Sequence, residues 1–158
     1  MRIGSADFRA RPLRVHEFLH DVPLEDAWAI ELKGGGSGRS IEDLQNAFTA
    51  GRSDTPAFVK ALFALRGALG NFFGWDKRSP EWKNEQLSEV RNGTVHAFLS
   101  LSIQSSPTGY LAYLGIYVKP TGWFTRVYMS AIAPFRHLAV YPAMVRNTQR
   151  AWDNCWRS

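Results

Sequence analysis

Gly109-Tyr-Leu-Ala-Tyr-Leu-Gly-Ile-Tyr-Val118, then Lys119-Pro-Thr-Gly122, then a helical periodicity running to the end of the sequence: this stretch decides the fold. The first part alternates with the period of two that marks a strand, and Lys119 to Gly122 turns the chain. Beyond the turn, Trp123, Val127, Ala131, Leu138, Tyr141, Val145 and Trp152 fall on one face of a helix, while Arg126, Arg136, His137, Arg146 and Arg150 lie largely off it. Pro134 and Pro142 each remove a backbone donor and crowd the carbonyl four residues earlier, so the helix is expected to bend or break near them.

Working back from this ending, Glu85–Arg91, Asn92-Gly93 and Thr94–Gln104 read as a hairpin, because Asn-Gly suits a tight two-residue turn. Ser105 to Gly109 turns the chain again, which makes three antiparallel strands in succession. Trp75 to Asn84, polar and interrupted by Pro80, reads as a loop. Before it, Thr55-Pro56 opens a helix whose stripe of Phe58, Leu62, Leu65 and Leu69 ends at Gly74. An earlier helix starts at Ser40, with Asp43 placed as a capping-box partner, and ends at Ala50-Gly51. Ala27 to Leu32 alternates as a short first strand, and residues 1–12 read as a polar arm. The expected fold is α+β in one domain, residues 1–158: a curved antiparallel sheet gripping a long, proline-kinked C-terminal helix, with two shorter helices after the first strand.

Composition narrows the functional classes. With 158 residues, 45% of them apolar and 21% charged, the chain is an ordinary globular one. The net charge of +5 is spread along the sequence without a basic run or a nucleic-acid module signature, so no nucleic-acid partner is expected. One cysteine, Cys155, permits no internal disulfide, and no apolar run is long enough for a membrane span. A cytoplasmic location is the corresponding expectation. Aromatic residues at 13%, six of them Trp, fit either a Trp-rich core or an aromatic-lined pocket.

Three motifs bear on chemistry. His16-Glu17-Phe18-Leu19-His20 matches the zinc-hydrolase pattern, in which two His one helical turn apart hold the metal and the Glu activates its water. Arg14 and Asp21 flank it closely, and Pro12 and Pro23 confine any helix to a few turns. The Gly-rich segment Gly34 to Ser40 follows a strand and precedes a helix, as phosphate loops do, but Arg39 stands where Lys or a third Gly would be needed. Lastly, Arg66, Glu89, His96, Tyr110, Tyr113 and Tyr117 are polar groups within apolar periodic segments, the kind that orient a ligand between apolar walls.

Leu62-Phe-Ala-Leu-Arg-Gly67 through Gly74, and Gly122-Trp-Phe-Thr-Arg-Val-Tyr-Met-Ser-Ala-Ile-Ala-Pro-Phe-Arg-His137, resemble two segments of an uncharacterised bacterial domain family. That family of unknown function is allied to the START-like and birch-pollen-allergen-like helix-grip (SRPBCC) superfamily. The likeness covers roughly residues 25–155, with Pro134-Phe135-Arg136-His137 standing where the family has Pro-Phe-His-Arg. The resemblance implies a cavity between sheet and C-terminal helix that takes a small apolar or aromatic ligand and needs no cofactor. Whether the chain is an enzyme stays open. The alternative is a small zinc hydrolase with His16 and His20 as ligands and Glu17 as base.

Overall fold

Among the described residues five strands form one antiparallel sheet. The structure, a computed structural model, describes residues 1–34, 38–53, 78–82, 84–91, 95–120 and 123–154. In chain order the elements are α1 (Ser5–Arg9), α2 (Val15–Phe18), β1 (Leu24–Lys33), α3 (Ile41–Ser53), β2 (Arg78–Trp82), β3 (Glu85–Arg91), β4 (Val95–Ser106), β5 (Gly109–Pro120), α4 (Trp123–Phe135), a π-helical turn (Arg136–Val140) and α5 (Tyr141–Asn154). Strands β2 to β5 run as a meander, and β1 returns to close the order β1-β5-β4-β3-β2. The β4–β5 hairpin holds its register without interruption from Val95↔Pro120 to Ser106↔Gly109. Gly109, at φ 152°, lets that turn close: a Cβ there would lie 2.3 Å from the Leu32 carbonyl oxygen of β1.

The expected α+β architecture, a curved sheet under a long C-terminal helix, is the observed one. The helix runs along β1, as its contacts with successive strand residues show. His137 meets Asp26, Gln149 Nε2 donates to the Glu31 carbonyl, and Trp152 Nε1 donates to the Lys33 carbonyl at 2.8 Å. From Asp26 to Lys33 an extended strand covers about 23 Å. From His137 to Trp152 a helix covers about 22 Å. The matched lengths let one element lie on the other from end to end. Alternate residues of the strands meet it: Trp28, Ile30 and Leu32 of β1, Tyr110, Ala112 and Leu114 of β5, Leu101 and Ile103 of β4. Helix α3 adds Ile41, Leu44, Ala47 and Phe48 to this core, and its start is tied by the Ser40 N–H donating to Asp43 Oδ2, as the capping box requires.

Three departures from the expected elements have physical reasons. Residues 1–12 are not a free arm: Ile3 and Met1 hydrogen-bond along β1 through Ala27 and Ala29, and Phe8 is wholly buried. Together with Leu13, Val15, Leu19 and Val22 it covers the second face of the sheet, over Tyr113, Tyr117 and Leu87. Within Trp75–Asn84, where a loop is expected, β2 pairs with β3; Pro80 is tolerated because β2 is an edge strand among the described residues and its register shifts between Arg78 and Glu81. Around the two prolines, the expected interruption takes the form of the π turn. Pro142 would crowd the carbonyl of Leu138, and the wider turn at Arg136–Val140 gives it room. The helix expected from Thr55 to Gly74 and the turn at Asn92-Gly93 lie outside the described residues.

Candidate functional site

Asp26 is the most unusual residue of the helix-facing layer. It shares the face of Trp28 and Ile30, is 2% exposed, and gathers four groups. Oδ1 accepts from His137 Nε2 at 2.5 Å and lies 3.3 Å from Arg2 Nη2. Oδ2 accepts from the Tyr141 hydroxyl at 3.1 Å and lies 3.6 Å from Arg136 Nη1. An ionised carboxylate taken out of water needs such compensation, because the desolvation cost of an unpaired charge is several kcal/mol. The π turn supplies it. Arg136 and His137 enter the cluster from the turn, Tyr141 from the first residue of α5, and Asp26 from the start of β1.

Around this cluster the chemistry is aromatic with unpaired donors. Tyr141 stands between the rings of Trp28 (centroids 5.4 Å) and His137 (5.8 Å). Burial pushes the Tyr141 phenol well above its ordinary range, with Arg136 opposing and Asp26 reinforcing the shift, so the hydroxyl stays a donor. Trp28 Nε1, Arg136 Nε and Thr148 Oγ1 are buried without a hydrogen-bond partner among the described residues. Half-buried Leu99, Ile116, Val140 and Met144 complete the apolar surroundings on the same core.

The residues singled out in the sequence divide between the two faces. Tyr110 faces the helix at the far end from Asp26, edge-on to Trp152 with centroids 5.5 Å apart. Arg39 stacks 4.2 Å over that same Trp152 ring and donates to its carbonyl, so the Gly-rich segment's arginine clasps the helix end. Tyr113 and Tyr117 point to the opposite face, beneath the N-terminal segment, with Arg11 4.1 Å over the Tyr113 ring. Glu89 and His96 do meet, Nε2 donating to Oε1 at 2.7 Å, and cross-strand pairing puts them on that second face as well. Arg66 lies outside the described residues.

His16 and His20 do not converge. The helix that would set them one turn apart ends at Phe18. His16 Nε2 donates to the Phe8 carbonyl at 3.0 Å and Nδ1 accepts from the Tyr117 hydroxyl at 3.1 Å, so both ring nitrogens are committed to holding the N-terminal segment on the sheet. Burial, opposed by Arg9 and helped by Glu85, pushes the Tyr117 phenol up to about 12, in keeping with its donor role. His20 is exposed and turns to the Glu17 carbonyl. Among the described residues no three His, Cys, Asp or Glu stand close enough to share a metal ion.

Sequence reasoning missed Asp26 by starting the first strand at Ala27. Extending the alternation by one pair puts an acid on the apolar face of Trp28 and Ile30, a combination that marks a partnered, special carboxylate. Arg136, His137 and Tyr141 carried the matching signal, a guanidinium, an imidazole and a phenol within a turn and a half of helix.

A family model described as protein of unknown function (DUF2867) matches residues 18–92 and 81–143, a span that includes Asp26, Arg136, His137 and Tyr141. No curated protein and no solved structure matches the chain. Among the described residues no helix is long and apolar enough to cross a membrane.

Proposed function

We propose, for a chain that belongs to the DUF2867 family of proteins of unknown function, that the layer between its sheet and C-terminal helix binds a small apolar or aromatic molecule. The observation that carries this reading is the indole N–H of Trp28, buried in an aromatic layer beside the Asp26 cluster and without an acceptor among the described residues. Buried donors are paired in roughly nine cases out of ten, and a donor held ready in an apolar wall is how ligand sites fix orientation. Tyr110, on the same face, belongs to the far wall; Tyr113, Tyr117 and the Glu89–His96 pair face away and play no part in it. The helix-grip order also supports grouping the chain with START-like and birch-pollen-allergen-like proteins, whose sheet-and-helix interfaces hold hydrophobic molecules. That analogy concerns fold, and the site residues carry the function.

Titration of tryptophan fluorescence with 2-naphthol, palmitate, a sterol and 2-tetralone tests the proposal. At least one probe is expected to bind saturably and to raise Tm. Trp28→Phe keeps an aromatic ring and removes the donor, so affinity is expected to fall at least about three- to tenfold, the worth of one hydrogen bond, with some lowering of Tm from the core volume lost. Absence of saturable binding across the series would defeat the reading.

A further inference from the structure

We infer that His137 is a general base, held in its working tautomer by Asp26, and that the molecule it serves is a carbonyl compound with an acidic C–H beside the carbonyl; this rests on the binding proposal above. Carboxylate oxygens only accept, so the 2.5 Å contact with Asp26 Oδ1 requires the proton on His137 Nε2. Asp26 already faces two guanidinium groups, Arg2 at 3.3 Å and Arg136 at 3.6 Å, and its charge needs no third cation. A neutral ring protonated at Nε2 has its lone pair on Nδ1. That atom makes no hydrogen bond among the described residues, and the side chain keeps a quarter of its surface open. A buried acid orienting an imidazole whose second nitrogen is free is the arrangement that proton abstraction needs.

Two donors in the same layer narrow the reaction. Among the described residues the Nε–H of Arg136, next along the chain, and the indole N–H of Trp28, on the other side of the Tyr141 ring, are buried without an acceptor. Unpaired N–H donors suit an oxygen that gains negative charge during the reaction, since donors fixed beforehand stabilise the charge as it develops. The hydrogen-bond and ring partners of His137 among the described residues are Asp26 and Tyr141, and the Tyr141 O–H is already given to Asp26 with burial keeping its proton in place, so the lone pair is assigned to the bound molecule. The step assigned to it is an enolisation. The C–H bond α to the carbonyl breaks, its proton passes to Nδ1, and its electron pair forms the C=C bond while the carbonyl π pair moves onto oxygen. Nδ1 returns the proton to the oxygen or to carbon, and atoms and electrons balance without a co-reactant.

Two measurements test this. In 15N-labelled protein, long-range 1H–15N spectra should report His137 protonated on Nε2 alone near neutral pH; a ring protonated on Nδ1, or on both nitrogens, overturns the proposal whatever the ligand. Separately, exchange of the α-hydrogens of 2-tetralone in D2O is followed by NMR. The protein at saturation should exceed buffer by at least about a hundredfold, and His137→Gln should lose about 10²- to 10⁴-fold of the rate with affinity within threefold. Asp26→Asn should lose rate as well and abolish the tautomer preference, and because it also weakens the fold, His137→Gln is the decisive variant. Tetralone bound without accelerated exchange removes the base and leaves the binding proposal standing. If naphthol or palmitate binds and tetralone does not, the carbonyl assignment fails. Were none of the probes to bind, the binding proposal would fall first.

Discussion

Asp26 gives up its hydration for four partners, and that exchange predicts unequal costs for removing each of them. Asp26→Ala leaves Arg136 buried without its carboxylate and Tyr141 without its acceptor, so urea denaturation should register a loss of about 3–5 kcal/mol. Arg2→Ala removes a side chain that is 55% exposed, and the same experiment should register less than about 1 kcal/mol. Equal effects would mean that the cluster is not desolvated as the geometry implies. Gly115 offers a steric test on the other face. A Cβ there would lie 2.7 Å from Phe8 Cζ and 3.2 Å from Tyr117 Cε2, so Gly115→Ala should cost about 1–3 kcal/mol by displacing the Phe8 ring. Phe8→Leu, which shortens the obstructing group, should recover part of that loss in the double variant. At this scale the sequence was only half readable. Periodicity identifies which residues face inward, whereas three of the four partners of this inward acid lie more than 100 positions away and need the fold to be named.

Elements were more legible than residues where pattern and backbone chemistry agreed. The β3, β4 and β5 meander and the C-terminal helix followed from periods of 2 and 3.6, which reflect burial directly. The N-terminal segment and β2 escaped because their placement depends on what they pack against. Phe8 and Val15 look isolated among Arg and Asp until β5 is seen to be apolar on both faces, a condition that asks for a second cover. That cover is pinned by Glu85, whose carboxylate accepts from the Arg14 and Val15 N–H groups at 3.1 and 3.3 Å. Glu85→Ala should therefore speed amide exchange in residues 1–22 by about ten- to a hundredfold, the effect of losing about 1.5–3 kcal/mol of charge-assisted hydrogen bonding. Strand β5 should keep its protection in the same experiment. The π turn has its own consequence. Its extra residue sets the rotational phase between α4 and α5, so deleting the exposed Leu138 rotates everything beyond by about 100° relative to Asp26. Either Tyr141 or the Arg136–His137 pair must then leave the carboxylate, and thermal melting should show a loss comparable to that of Asp26→Ala.

At the scale of the molecule, one sheet is held from both sides, and each side contains a buried phenol that donates to a fixed acceptor. Tyr117 donates to His16 under the N-terminal segment, and Tyr141 donates to Asp26 under the C-terminal helix. Both phenols are raised by burial, Tyr117 to about 12 from the ordinary 10.0. In the pH range between these values the unfolded chain has released the proton that the folded chain retains. The unfolded state then binds fewer protons, and unfolding becomes more favourable as pH rises. Both groups therefore contribute full stability below pH 10; the contribution of Tyr117 is lost as the pH climbs through about 12, and that of Tyr141, also raised, is lost in the same direction. The expected outcome is a Tm that falls steadily above pH 10, with tyrosinate absorbance at about 295 nm and loss of far-ultraviolet circular dichroism rising together, as cooperative unfolding requires. Tyr117→Phe should flatten the alkaline limb and lower Tm at neutral pH, because the His16 contact goes with the hydroxyl. If absorbance rises at pH 10 while circular dichroism holds, the phenols ionise in the folded state, and neither cover shields its tyrosine as the packing implies.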